Sequence, residues 1–328
     1  MRDTSANPPR LDTLRGILYM LLCVLLFAVM DALVKLAAEH HPTGQIIFFR
    51  NAFAFVPLYF FIRRAGGPSV LRTRYVRQHV VRSVTGVASM AATFVAFALM
   101  PLADAVAIGL SAPIFLTALS VPMLGEQVGW RRWSAVALGF VGILVITRPG
   151  SGVFGPVALI PLASAALYAV AMIQIRLVAT REPAATMVFY FTAFAAVIGA
   201  LSLPWQWVTP TPLMLFYLVL IGLIGGLAQM ALTQAYRLAP VSTVAPFEYS
   251  SLLVAAVLGY SIWGQAPDRF VWLGAVLVMA SGLYILHRET VRRRRRLRPA
   301  GASAARRRKS SPAQLTTITA SLSAVRRR

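Results

Sequence analysis

Glu248 stands in an otherwise apolar run that begins near Thr243 and ends near Trp263, with Gln234, Tyr236, Tyr249, Ser250 and Ser251 around the same hairpin. A carboxyl group at membrane depth is costly, and it is a functional-site candidate by default because it can carry a proton or meet a cationic solute. Asp31 and Lys35 lie four residues apart in the first apolar run, hence on one helical face, where an acid and a base can neutralise each other. Arg50, followed by Asn51, interrupts Ile46-Ile-Phe-Phe and Ala52-Phe-Ala-Phe. A guanidinium there needs an anion, supplied either by Asp31 or by a ligand carboxylate or phosphate. Asp31, Lys35, Arg50, Asn51, Tyr236, Glu248 and Tyr249 form the candidate set for substrate binding or coupling. The plainer alternatives are that Asp31 and Lys35 fix one helix against its neighbours and that Glu248 is an acid hydrogen-bonded to an adjacent helix. Arg82 and Arg176 sit near the ends of their runs, where a long side chain can snorkel, so a structural role is expected of them.

Other chemistries lack their parts. His40, His41, His79 and His287 all fall at segment ends, so no intramembrane metal site is expected. Neither HExxH, GxSxG, a phosphate-binding GxxxxGK[ST] nor a dinucleotide glycine fingerprint occurs, which removes the usual signatures of proteolysis, ATP-driven work and cofactor chemistry. No catalytic residue and no cofactor is assigned. The single cysteine, Cys23, excludes an internal disulfide.

These residues must be held by membrane elements. Of the 328 residues 58% are hydrophobic and only 13% charged, and the apolar runs approach the roughly 20 residues that cross a bilayer as helix. The short alternation of a membrane barrel strand is missing, so the fold class is an all-α integral membrane protein. Ten segments can be drawn, at 16–38, 44–62, 80–99, 104–123, 131–147, 156–178, 185–204, 213–235, 243–263 and 270–287. Basic residues concentrate before the first segment, in alternate connections and after the last, which places both termini in the cytoplasm, with Arg148 and Arg269 as exceptions.

The chain repeats itself. Pro101 and Gly125-Glu126 in the first half match Pro240 and Gly264-Gln265 in the second, with Gly109 at the place of Glu248. The Gly/Pro/Ser-rich boundary at Pro149 to Pro156 leaves a first five-helix repeat at 16–148 and a second at 156–287. Five spans per half invert one half relative to the other, the signature of many secondary transporters, and set the hairpins at Pro101 and Pro240 on opposite sides of one cavity. Gly222 with Gly226, and Gly139 with Gly142, read as close helix packing. Residues 1–15 form a cytoplasmic N-terminus. From Arg288 the chain carries +13 of its net +22, in an Arg-, Ser- and Ala-rich tail expected to be disordered and to lie against anionic lipid, with about 1 kcal/mol per basic residue. No recognition fold accompanies that charge, so nucleic acid is not the expected partner.

The paired pattern resembles the drug/metabolite transporter superfamily, and specifically its EamA-type transporters, over about residues 15 to 288. Met30-Asp-Ala-Leu-Val-Lys35, Gly44-Gln-Ile-Ile-Phe-Phe-Arg50, Pro101-Leu-Ala-Asp-Ala105, Gly125-Glu126 and Ala245-Pro-Phe-Glu-Tyr249 are similar to the branch with riboflavin and S-adenosylmethionine uptake carriers. The resemblance implies a gradient-driven carrier of a small metabolite in a bacterial inner membrane, a riboflavin-like or other amphipathic solute among the candidates. Gln265 departs from the Glu at the matched Glu126. Export of a metabolite or drug, a non-transporting scaffold or sensor with a basic tail, and association into a homodimer stay open.

Overall fold

The computed structural model describes residues 10–125, 129–148, 155–178, 182–238 and 245–297. Among the described residues the protein is helical throughout, without strands. The first half holds α1 (Arg10–Ala38), α2 (Thr43–Ala65), a 3-10 turn (Gly67–Leu71), α3 (Val76–Leu99), α4 (Leu102–Gly109), α5 (Ala112–Leu124) and α6 (Trp130–Thr147). The second holds a 3-10 turn (Gly155–Ala158), α7 (Leu159–Val178), α8 (Ala184–Gln206), α9 (Pro212–Leu238), a 3-10 turn (Ala245–Tyr249), α10 (Ser250–Trp263) and α11 (Arg269–Leu297). Among the described residues seven helical stretches are long and apolar enough to cross a membrane, and three shorter apolar helices accompany them, at Trp133–Thr147, Phe247–Trp263 and Arg269–Ile285.

Two expectations about element bounds change. The segment expected at 104–123 is one apolar span, Leu102–Leu124, broken into α4 and α5 at Leu110 and Ser111. Pro113 opens α5, where a missing N–H costs nothing because first-turn donors have no intrahelical partner. The last helix runs on to Leu297 rather than ending at 287, and the tail beyond it lies outside the described residues. Within α11 a second unit begins at His287.

The two halves share their local chemistry. Both α5 and α10 end on a glycine in the left-handed region, Gly125 at φ 65° and Gly264 at φ 67°, a conformation a Cβ would strain. At Gly264 the amide donates to the carbonyl of Tyr260 (2.9 Å), and the Gln265 amide donates to that of Gly259 (3.1 Å), closing the helix end. In the first half the Gly125 amide donates to the Val121 carbonyl (3.1 Å).

Packing follows the same duplication. The first helix of one half lies against the third of the other, α1 on α9 and α3 on α7, while α2 meets α8 and α4 meets α10. The fifth helices α6 and α11 touch at Gly142 and Gly274, where a Cβ on either would come within 2.8 Å or 2.5 Å of the other's carbonyl oxygen. Exchanging the halves turns α1–α9 into α7–α3 and leaves α2–α8, α4–α10 and α6–α11 each in place. Gly222 and Gly226 on α9 do what their spacing suggests, since a Cβ at Gly222 would run into Phe53 and one at Gly226 into Pro57, both on α2.

Candidate functional site

Arg50 on α2 is 8% exposed. One Nη donates to Asn51 Oδ1 (2.9 Å), and Asn51 Nδ2 in turn donates to the Ile47 carbonyl (2.7 Å), so Asn51 acts as a bracket that fixes the guanidinium. Arg50 Nε has no hydrogen-bond partner. Asp31 on α1 is the acid that acts on Arg50 through space, although no direct ion pair joins them among the described residues. Beside Arg50, between α2, α8 and α9, lies a cavity of about 10 Å³, room for one water, lined by Phe191, Thr192, Gly225 and Gln229 among others.

Lys35 does not neutralise Asp31, which corrects the expectation drawn from their spacing. Its Nζ donates to the carbonyls of Phe97 and Met100, both at 2.7 Å, and lies 5.4 Å from the centroid of the Trp263 ring. The physical reason is the end of α3, whose last carbonyls have no intrahelical donors and draw the ammonium away from a side chain one turn back. Beyond Lys35 comes Asp104 in the first turn of α4, 5% exposed, with Oδ1 unpartnered and the charges of Lys35, Arg148 and Asp268 around it.

Arg82 corrects a second expectation, because it is buried (8% exposed) rather than snorkelling. It donates from Nη1 to the Met187 carbonyl (2.6 Å), and its Cζ lies 4.9 Å from the Phe191 centroid, within cation–π range. The Arg50 Cζ lies 6.0 Å from the same ring. Tyr168 on α7 acts electrostatically on both Arg82 and Glu248. Its side chain is 43% exposed.

Glu248 lies in the 3-10 turn that leads into α10, half-buried, with Cys23, Tyr168 and Tyr249 in its electrostatic reach. The Tyr249 hydroxyl abuts Gly282 on α11 and accepts or donates no hydrogen bond, so that tyrosine packs the turn before α10 against α11. Tyr236 falls on α9, but its side chain lies outside what is described. Asp31, Arg50, Arg82, Tyr168 and Glu248 thus form one linked polar neighbourhood drawn from α1, α2, α3, α7 and the turn before α10. Lys35 belongs instead to the hairpin at Pro101.

Sequence reasoning missed Phe191, Tyr168, Asp104 and a second buried pair. His79 on α3 meets Glu182, just before α8, at 2.6 Å, and the His79 ring stacks on Tyr190 at 4.8 Å. Asp104 was legible as an acid in an apolar run. Nothing in the local sequence marks Phe191, whose role comes from the two arginines that face it. Arg148, one exception to the alternation of basic connections, pairs with Asp268 and lies 4.8 Å from the Phe270 ring, while Arg269, the other, lies 5.0 Å from that ring. Among the described residues no group of three or more His, Cys, Asp and Glu could hold a metal ion.

The model of the EamA-like transporter family matches residues 14–148 and, a second time, 155–286. The chain is 32% identical to a riboflavin transporter of Rhizobium johnstonii, over 90% of this chain and 98% of that protein. It is 27% identical to an S-adenosylmethionine uptake transporter of Rickettsia bellii, covering 84% and 94% of the two chains. A pseudopaline exporter of Pseudomonas aeruginosa is 33% identical, with 83% and 96% covered. A crystal structure 18% identical in sequence superposes with a TM-score of 0.59 over 82% of this chain and 95% of that one, a likeness of fold alone.

Proposed function

The chain belongs to the EamA-like transporter family, a family of multi-pass membrane proteins, and from that premise we propose that it is a secondary transporter of a small metabolite. In this reading ten helices cross the bacterial inner membrane as two inverted repeats of five, both termini are cytoplasmic, and the solute sits between the repeats. The observation that carries the reading is the linked neighbourhood of Asp31, Arg50, Arg82, Tyr168 and Glu248, which draws ionisable groups from both matched halves into one helical bundle. Buried ionisable groups in a membrane bundle are expensive and are kept where a solute or proton must be met.

Each residue has a role here. Arg50, steadied by Asn51 and offset by Asp31, faces the solute, and Glu248 is the acid that exchanges a proton or meets a cationic solute as the hairpins rock. Lys35 ties α1 to the end of α3 and so holds the Pro101 hairpin. Tyr236 and Tyr249 flank the second hairpin. A planar amphipathic solute of the riboflavin kind suits a site with Phe191 beside the arginine, and the riboflavin-transporting relative favours it. Export is the second reading, favoured by the pseudopaline-exporting relative. A thermal-stability screen of the purified protein against a metabolite panel, followed by flux of each hit in reconstituted vesicles, tests the proposal. Saturable flux of at least one hit is expected, and binding without flux in correctly inserted protein would favour a sensor.

A further inference from the structure

Away from the polar neighbourhood of Arg50, a groove of about 460 Å³ opens beside the last turns of α2. Phe55, Tyr59, Ile62 and Arg63 reach it from one face of α2, Leu71 from the 3-10 turn that follows, and Phe189 from α8. Its walls are fixed from both matched halves. Phe55 and Phe189 meet edge to face at 6.0 Å, Thr186 Oγ1 donates to the Val70 carbonyl (2.5 Å), and the Tyr190 hydroxyl donates to that of Leu71 (2.9 Å). Apart from Arg63 and the Tyr59 hydroxyl these side chains are apolar, and Tyr59 is 52% exposed, so the groove opens outward from the bundle.

The stretch belongs to a helix long and apolar enough to cross a membrane, Thr43–Ala65, and outward there means toward lipid. From Phe55 to Arg63 the helix rises about 12 Å, enough to run from acyl-chain depth to the headgroups. Arg63 lies in the last turn of α2. Its Nε donates to the Tyr59 hydroxyl (2.9 Å) and its Cζ lies 5.4 Å from that ring, so the tyrosine steadies the guanidinium at the mouth of the groove. Among the described residues no carboxylate pairs with Arg63. No acidic residue occurs between Glu39 and Asp104, whereas Arg64, Arg72, Arg74 and Arg77 accompany Arg63 around the connection to α3, all of them exposed. Glu182, the acid that the second half brings to this connection, accepts from Thr73 and pairs with His79, and its side chain is only 5% exposed. With Glu182 counted, five exposed arginines stand against one buried and engaged carboxylate.

We propose that this groove seats an acyl chain of an anionic phospholipid whose phosphate meets Arg63. The planar guanidinium offers paired donors to phosphate oxygens, and basic pockets among membrane helices at headgroup level favour anionic lipid. A zwitterionic lipid has the same chains but brings its own cation to the arginines. Because the groove is walled by α2 and α8, a lipid seated in it joins one matched half to the other and stabilises the folded bundle. None of the residues assigned to the solute takes part, so failure of this inference leaves the transporter reading untouched.

The test uses the full-length protein purified in a neutral detergent. Its thermal midpoint is followed against dioleoyl phosphatidylglycerol, with dioleoyl phosphatidylcholine and sodium phosphate as references. Wild type should be stabilised saturably by phosphatidylglycerol beyond either reference. Arg63→Gln should weaken that binding about fivefold, the contribution of one basic side chain at an anionic headgroup. Arg77→Gln removes the same charge from an exposed position outside the groove, with the basic tail intact, and should leave binding unchanged. Ile62→Gln keeps Arg63 but sets an amide among the chain contacts, and it should weaken binding as well. If Arg63→Gln does not fold, the Ile62 and Arg77 variants decide alone. Equal stabilisation by phosphatidylcholine, or the full effect from sodium phosphate, overturns the inference. An equal loss in Arg77→Gln would assign the preference to diffuse charge, and undiminished binding in Ile62→Gln would remove the chain from the groove; either result also overturns it.

Discussion

The ammonium of Lys35 donates to the carbonyl of Met100 across 2.7 Å, joining α1 to the residue just before Pro101. A second bond, to Phe97, makes Lys35 the cap of α3 and the tether of the hairpin that follows. Replacing it by Met keeps the length and removes both donors. Two buried carbonyls then lose their partner, and a loss of about 1–3 kcal/mol in stability is expected. Chemical unfolding of Lys35→Met in detergent measures it. A wild-type value would mean that the carbonyls find other donors and that the tether is dispensable.

Arg50 and Asp31 act on one another without touching, so each should matter through the other. Arg50→Gln and Asp31→Asn should each reduce flux. The double variant should be less impaired than the sum of the two, by about 0.5–3 kcal/mol of coupling. Strict additivity in that cycle would place Arg50 on the solute alone.

Asp268 caps α11 by accepting the amides of Phe270 and Val271, both at 2.9 Å, and pairs with Arg148. Partial burial pushes its carboxyl upward, but those amides and the guanidinium outweigh it and hold the group below its ordinary value. A carboxylate whose folded value is depressed stabilises the fold above its unfolded value, about 3.9, and loses that stabilisation as pH falls through the folded value. Because Asp268 is 44% exposed, the ion-pair part is screened and should be under about 1 kcal/mol. Asp268→Asn should therefore lower the thermal midpoint at pH 6, with the difference vanishing at the acid end. A difference independent of pH would assign the effect to shape rather than charge.

The tail beyond Leu297 lies outside both matched stretches, 14–148 and 155–286. Truncation after Leu297 should leave flux per inserted molecule unchanged while reducing insertion or abundance. Lost flux in correctly inserted, truncated protein would show that the basic tail takes part in transport.

Much of this fold was legible because hydrocarbon imposes a simple rule. Apolar runs become helices, and the repeated glycine after each apolar run becomes a repeated helix end, as Gly125 and Gly264 show with matched φ values. Asp31, Arg50 and Glu248 stood out for the same reason, as charges where charges are costly. The partners did not. Lys35 and Asp31 share a helical face, but which neighbour each meets depends on helices far away in sequence, and the end of α3 supplied acceptors that i,i+4 spacing cannot reveal. Arg82 looked terminal by its distance from a segment end, yet α8 covers it through Met187 and Phe191. Phe191 is one aromatic residue among 18 phenylalanines, and only the two arginines make it distinct.

The most direct test of the account is accumulation of a solute from the binding screen into vesicles under an imposed proton gradient, in wild type and in Glu248→Gln. The substitution preserves size and much of the hydrogen bonding but removes the titrating group. Wild type should accumulate the solute against its gradient. Glu248→Gln should bind it and exchange it across the membrane, but fail to accumulate it. Accumulation at the wild-type rate and with the wild-type pH profile in Glu248→Gln would contradict the account, leaving Glu248 a structural acid and moving the coupling site elsewhere.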